Sequence, residues 1–175
     1  MGNENLASRI LATIPKNSVG RYDLLPITKD TQLFTEIIKY MASPFRGKAD
    51  FVASPEAIGW IIGVAVAREL NIGFIPIRKS EKLPYKADYI IRMNYIDYSK
   101  KKKAMEISCN YIESGSKVLL VDEWVETGAS VRCCIELLNY VGSEVVGIAT
   151  IGVDYREETK DWIDSGFLHF IGRDM

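Results

Sequence analysis

The chain has little of what staples small extracellular folds or binds soft metals: among 175 residues there are 3 cysteines and 1 histidine. Cys109, Cys133 and Cys134 are odd in number and two are adjacent, so neither a disulfide framework nor a Cys/His metal site is spelled out, and reduced thiols are expected. His169 stands alone in the apolar stretch Phe167–Ile171, which suits a structural role. No apolar run approaches the roughly 20 residues needed to span a bilayer. The start at Met1-Gly2 has neither the apolar core of a secretion leader nor a Ser or Thr at position 6 for myristoylation. An excess of one charge is missing too, since 22 basic and 23 acidic residues leave a net charge of -1. That balance gives no electrostatic footprint for nucleic acid. A cytoplasmic protein with no membrane or nucleic-acid partner is expected.

What is present fits one globular domain over residues 1–175: 47% of residues are hydrophobic and 26% charged, without an internal repeat or a low-complexity linker. Apolar periodicity alternates between helical and extended, which argues for an α/β fold with a central parallel sheet flanked by helices. Helices are expected near Asn3–Thr13, Thr31–Ala42, Ala57–Leu70, Lys103–Ser114, Ser130–Val141 and Glu157–Asp164. Strands are expected near Ala49–Ala53, Gly73–Arg78, Tyr89–Asn94, Lys117–Val121, Glu144–Ile151 and Phe167–Phe170. Gly73 and Gly142 lie just past apolar-periodic stretches and read as helix stops. Residues before Asp30 have little periodicity and suit a small cap over the sheet's active edge.

The densest chemistry lies in Val118-Leu119-Leu120-Val121-Asp122-Glu123-Trp124-Val125-Glu126-Thr127-Gly128-Ala129-Ser130. The apolar run has the length and branching of a strand buried on both faces, and it ends in two carboxylates. In an open parallel sheet that carboxyl edge is where ligands bind. Thr127 to Ser130 then lead into a helix whose first amides and dipole favour an anion, with two hydroxyls adding donors. Asp122 and Glu123 suit hydrogen bonds from vicinal sugar hydroxyls, directly or through a divalent metal that prefers oxygen ligands. Taken singly, each feature also fits an ordinary strand end or helix cap; their order is what points to a phosphorylated sugar.

Two further segments reach the same edge. Ser54 to Gly63 follows a predicted strand and opens a helix, which fits either an anion-binding turn or close helix packing at Gly59 and Gly63. Arg78, Lys79 and Lys82 end the next strand. They are either a solvated basic loop or compensation for a departing anion, which preorganised cations provide best in a partly dry site.

The 118–130 segment resembles the phosphoribosyl diphosphate motif of type I phosphoribosyltransferases: an apolar run, two acids, two apolar residues, a variable residue, then Thr-Gly-Gly-Thr, with Ala129 and Ser130 at the last two places. Residues 54–63 resemble the diphosphate loop of adenine phosphoribosyltransferases through Glu56, Ala57, Gly59 and Gly63. Trp60 stands for the family's Phe and Ile58 for its Arg. Ile77–Pro84 matches the family's Ile-Arg-Lys-x-x-Lys-Leu-Pro. Asp23, Pro26, Lys29, Asp30 and Phe34 fall in register with its N-terminal segment, while Arg21 and Tyr22 replace its Phe and Arg.

The resemblance implies the type I fold with a hood over residues 1–30, a core over 31–175 and a lid near 85–103. It implies transfer of a phosphoribosyl group from phosphoribosyl diphosphate to a heterocyclic base, Mg²⁺ as cofactor and a homodimer. By residue, it implies that Asp122, Glu123, Thr127, Gly128, Ala129 and Ser130 hold the ribose phosphate. Asp122 and Glu123 touch the metal through ribose or water. Glu56, Ala57, Arg78, Lys79 and Lys82 take the diphosphate, and Arg21, Tyr22 and Val125 take the base. Glu126 and Asp97 act in the chemistry, Glu126 by accepting a proton from the base and Asp97 as part of an Asp97-Tyr98 pair on the lid. Ile58, Arg21 and Tyr22 motivate a second reading, a sensor that binds phosphoribosyl diphosphate or a nucleotide without turnover.

Overall fold

The structure is a computed structural model and describes residues 2–15, 22–79, 81–84, 86–97 and 100–174. Its centre is β5 (Lys117–Val125), which lies between β1 (Phe51–Pro55) and β6 (Glu144–Val153) and is parallel to both. Val118, Leu119, Leu120 and Val121 are all completely buried. Because side chains alternate along a strand, the run feeds two cores. Leu119 and Val121 pack with α1 (Gly2–Thr13), α2 (Thr31–Ala42) and α3 (Ile58–Leu70), while Val118 and Leu120 pack with α4 (Ala129–Tyr140).

The full sheet has seven strands in the order β3-β4-β2-β1-β5-β6-β7, with β2 at Gly73–Lys79 and β7 at Leu168–Arg173. The five strands β2-β1-β5-β6-β7 are parallel throughout. α5 (Glu157–Asp164) precedes β7 and contributes Trp162 and Ile163 to the α4 side. Local chemistry sets the helix ends. The Asp30 carboxylate caps α2 by accepting from the amides of Gln32 and Leu33, a device worth about 1 kcal/mol. Asn71 closes α3 in the left-handed region, with φ 58° and ψ 43°, a conformation that its short polar side chain tolerates.

One expected element is overturned. Residues 103–114, read as a helix, form strand β4 (Lys102–Ser108) and a short 3₁₀ turn at Cys109–Tyr111. β4 runs antiparallel to β3 (Ile90–Ile96) and to β2, so the sheet is mixed rather than wholly parallel. The cause is burial at period two. Met105 and Ile107 enter the α4-side core, while Glu106 between them turns to the opposite face and is fully buried. Its carboxylate accepts from the amides of Glu81, Lys82 and Leu83 and from Arg92 Nη2, at 2.8 to 3.1 Å. Burial pushes its pKa up, but those donors outweigh it and hold the carboxyl below the usual range.

Helix α3 lies close on the sheet because Gly63 has no side chain. A Cβ there would sit 2.2 Å from Ser54 Oγ and 2.8 Å from the Phe74 ring. Ser54 is buried and donates to the Gly59 carbonyl at 2.8 Å, so it cannot yield without losing that bond. Gly63→Ala is therefore expected to lower stability by about 1–3 kcal/mol, read from the urea midpoint; an unchanged midpoint would contradict this close packing.

Candidate active site

The chain leaves β1 toward β2 on one side of the sheet, while β5 proceeds toward β6 and β7 on the other, so strand order reverses between β1 and β5. Loops at the carboxyl ends of two such strands diverge and leave a crevice. Here it is a cleft of about 670 Å³, lined from the β1 side by Pro55, Glu56 and Ile58 and from the β5 side by Asp122–Trp124 and Glu126–Ser130. The two walls come close: a Cβ on Gly59 would lie 3.4 Å from both Asp122 Oδ1 and Glu123 Oε2. The Glu56–Ala57 peptide bond in this turn is cis.

Asp122 is deeply buried, and its Oδ1 accepts from the Glu123 amide at 2.9 Å. Burial, reinforced by the neighbouring Glu123 charge and a side-chain hydrogen bond with it, raises the Asp122 pKa well above the usual carboxylate range. Beyond the acids, Gly128 takes φ 72° and leads into α4. A side chain at that position is doubly opposed, because its Cβ would also stand 2.9 Å from the Trp162 ring. This places the first-turn amides of α4, which have no partner inside the helix, beside the hydroxyls of Thr127 and Ser130.

The cationic loop is arranged differently from its sequence expectation. Glu56 is nearly buried and pairs with Lys82 Nζ at 2.9 Å and Arg78 Nε at 3.4 Å, and it accepts from the Lys79 amide at 3.1 Å. Burial acts to raise its pKa, but the Lys82 and Lys79 hydrogen bonds and the two positive charges together lower it. Arg78 also lies 5.4 Å from the Trp60 ring centroid and donates to the Lys82 carbonyl. Neither Arg78 nor Lys82 lines the cleft; Lys79 does. Ala57 is an exposed part of the same turn outside the lining.

The remaining wall is aromatic and acidic. Tyr22 and Trp124 have ring centroids 5.3 Å apart at 32°. Glu126 lines the cleft, with Arg156 Nη2 at 3.8 Å from its Oε1. From β3 come Tyr95, whose hydroxyl burial and nearby Cys133, Cys134, Asp97 and Asp122 charges push up to about 12, and then Asp97. Asp97 is buried, pairs with Lys103 and accepts from the Lys101 amide.

Of the residues singled out from sequence, the fold brings Tyr22, Glu56, Lys79, Asp97, Asp122, Glu123, Glu126 and Thr127–Ser130 to one cleft. Val125 points instead into the α4-side core. Arg21 and Tyr98 lie outside the described residues. The sequence reading missed Trp124, Tyr95, Lys103 and Asp154 as lining groups. Asp154 had a usable signal, since it follows the apolar run of β6 as Asp122 ends that of β5.

Comparison with known proteins agrees with this geometry. The family model described as phosphoribosyl transferase domain matches residues 27–168. The chain is 34% identical over 167 residues to an adenine phosphoribosyltransferase of Acidobacterium capsulatum, covering 93% of this chain and 90% of that one. It is 37% identical over 153 residues to that of Maricaulis maris, covering 86% and 84%. The crystal structure of the Thermoanaerobacter pseudethanolicus adenine phosphoribosyltransferase superposes with a TM-score of 0.83 at 25% identity, covering 95% of this chain and 99% of that one. The chain belongs to the phosphoribosyl transferase domain family, with the type I fold. Within it, the chain is an adenine phosphoribosyltransferase-like pentosyltransferase. The non-catalytic sensor reading is not favoured.

The folded chain holds the Asp122 proton more tightly than the unfolded chain does. Stability should therefore fall as pH rises from the ordinary carboxylate range toward the raised folded value. Asp122→Asn keeps an acceptor for the Glu123 amide and removes the ionisation. At pH 7.5 it is expected to raise Tm by about 2–4 °C, the effect of ~1 kcal/mol in a chain of this length, and at pH 4 to leave it nearly unchanged. A lower Tm at pH 7.5 would contradict the buried-acid account.

Proposed function

We propose that the cleft transfers a 5-phosphoribosyl group from phosphoribosyl diphosphate to a ring nitrogen of a purine base and releases diphosphate, with Mg²⁺ as cofactor. The observation that carries this reading is the meeting of a carboxylate pair, a helix N-terminus with hydroxyls and a lysine-bearing loop in one cleft at the reversal of strand order. The α4 amides with Thr127 and Ser130 take the 5-phosphate. Asp122 and Glu123 accept from the ribose hydroxyls through the lone pairs of their carboxyl oxygens. Lys79 faces the diphosphate, and Lys82 and Arg78 can exchange Glu56 for phosphate oxygens.

Mg²⁺ fits these donors. Among the described residues no group of three or more His, Cys, Asp or Glu forms a metal cage, and Mg²⁺ is commonly retained by one or two carboxylates together with substrate oxygens and water. Asp122 and Glu123 are the residues to hold it, through ribose hydroxyls or water. When bound, the ion neutralises diphosphate charge and fixes the sugar.

Glu126 stands at the acceptor end, where a carboxylate takes the proton that the base must lose. Asp97, paired with Lys103, acts from the β3–β4 hairpin, and residues 85–103 serve as the lid that excludes water. Tyr22 and Leu24 line the cleft, which supports a hood role for residues 1–30. A homodimer completes the reading, supported by exposed Ile61 and Val64 on the outer side of α3. Among the described residues no helix is long and apolar enough to cross a membrane, and the proposed reading places this purine phosphoribosyl transfer in the cytoplasm.

The test is diphosphate release from phosphoribosyl diphosphate with Mg²⁺ in the presence of adenine, hypoxanthine, guanine, xanthine, uracil or orotate, beside a no-base control. Release above control with at least one purine is expected; silence with all six, alongside saturable binding of the donor, would replace catalysis by sensing. Glu126→Ala should lower kcat by about 10²-fold or more with little change in the donor KM. Unchanged kcat and base preference would remove Glu126 from the chemistry.

A further inference from the structure

The acceptor end of the cleft carries charges that neither the sugar nor its phosphates employ. Asp154, the first residue after β6, lines the cleft. Its Oδ1 accepts from Trp124 Nε1 and its Oδ2 from Arg156 Nη2, both at 2.9 Å. The same Nη2 stands 3.8 Å from Glu126 Oε1. A carboxylate, a guanidinium and a second carboxylate thus adjoin one another beside the Tyr22–Trp124 wall.

This group is held from several sides. The Asp154 amide donates to the Val125 carbonyl at 2.9 Å, tying the end of β6 to the end of β5. Gly152 backs the indole, since a Cβ there would fall 2.4 Å from two Trp124 ring carbons. Arg156 precedes α5, where Thr159 Oγ1 accepts from its amide at 3.0 Å. Each Asp154 oxygen keeps acceptor capacity beyond the single bond that it makes, because an ionised carboxylate offers about four lone-pair sites.

We infer that Asp154, with Arg156, reads the outer edge of the acceptor and selects a base that presents two adjacent N–H donors beside a carbonyl, the edge of a 2-amino-6-oxopurine. This rests on the transferase reading above and names the substrate class within it. Two neighbouring N–H groups fork onto one carboxylate in the manner of a guanidinium, making two parallel charge-assisted hydrogen bonds that add geometric specificity. The adjacent carbonyl accepts from the Arg156 guanidinium. Adenine offers a different edge, one amino group beside a ring-nitrogen lone pair. Against Asp154 that lone pair meets a carboxylate oxygen with no proton between them, and one acceptor stays unsatisfied. Asp154 and Arg156 are then specificity-determining residues, whereas Glu126 keeps its role at the imidazole side.

The experiment compares kcat/KM for guanine, hypoxanthine and adenine, with phosphoribosyl diphosphate and Mg²⁺, in the wild type and in Asp154→Asn. Asparagine retains a carbonyl oxygen for Trp124 Nε1, and the wild-type ratio stands on its own if the variant folds poorly. The wild type is expected to favour guanine over adenine by at least about tenfold, a modest share of what a site built to hydrogen-bond its substrate can achieve. Asp154→Asn should bring that ratio to within about threefold of unity, mainly through the base KM, and leave the donor KM within about twofold. Turnover that favours adenine, or a guanine preference that survives Asp154→Asn, overturns this inference while sustaining the transferase reading. No turnover with any base overturns both.

Discussion

The burial of β5 on both faces is the constraint from which the rest of the molecule follows. Four consecutive apolar residues can all leave water only if helices cover both sides of the sheet, and α2 and α3 on one face and α4 on the other do so. That placement sets β5 against β1 and makes the two strands the point where connections diverge. The acids at positions 122 and 123 then stand where the sheet opens. Burial, together with the neighbouring Glu123 charge, costs Asp122 its ordinary acidity.

Charge at this edge is compensated from within. Glu106 gathers three successive amides of the 81–83 turn and the Arg92 guanidinium. Glu56 does the same for Lys82, Arg78 and the Lys79 amide. Buried anions of this kind need paired donors to persist, and in return they fix the turn that carries the cations. In the proposed transfer, an incoming diphosphate would compete with Glu56 for Lys82 and Arg78 and would meet Lys79 directly. The Ile58 side chain on the same wall adds no charge, so in the proposed transfer neutralisation would fall on the remaining cations and on Mg²⁺.

The parts of this arrangement that were legible in the sequence are those fixed locally. A strand buried on both faces reads as an unbroken apolar run, and the acids, turn and helix start that follow are contiguous, so 118–130 could be placed without knowing its neighbours. The five parallel strands and the α3 and α4 helices followed from the same logic. β4 was not legible because Glu106 is buried only by amides about 25 positions away in sequence, and its alternation with Met105 and Ile107 has no meaning until β2 and β3 flank it. The pairing of Glu56 with Lys82 and Arg78 is likewise tertiary, and a count of cations cannot reveal it. Val125 went the other way: its motif position suggested a ligand contact, but its side chain is buried in the α4-side core with Val118 and Leu120, so the side-chain alternation seen over 118–121 does not continue unbroken to the strand's end.

The central claim is that the acid pair and the α4 N-terminus hold a phosphorylated ribose. Calorimetric titration of phosphoribosyl diphosphate with Mg²⁺ into the wild type and into an Asp122→Asn, Glu123→Gln double variant tests it most directly. The account predicts one saturable site per chain in the wild type. It also predicts a loss of affinity of about 100-fold or more in the variant, as expected when two hydrogen-bonding positions are each weakened by about 1.4 kcal/mol. Equal affinity in the two proteins, with the variant's fold intact, would contradict it.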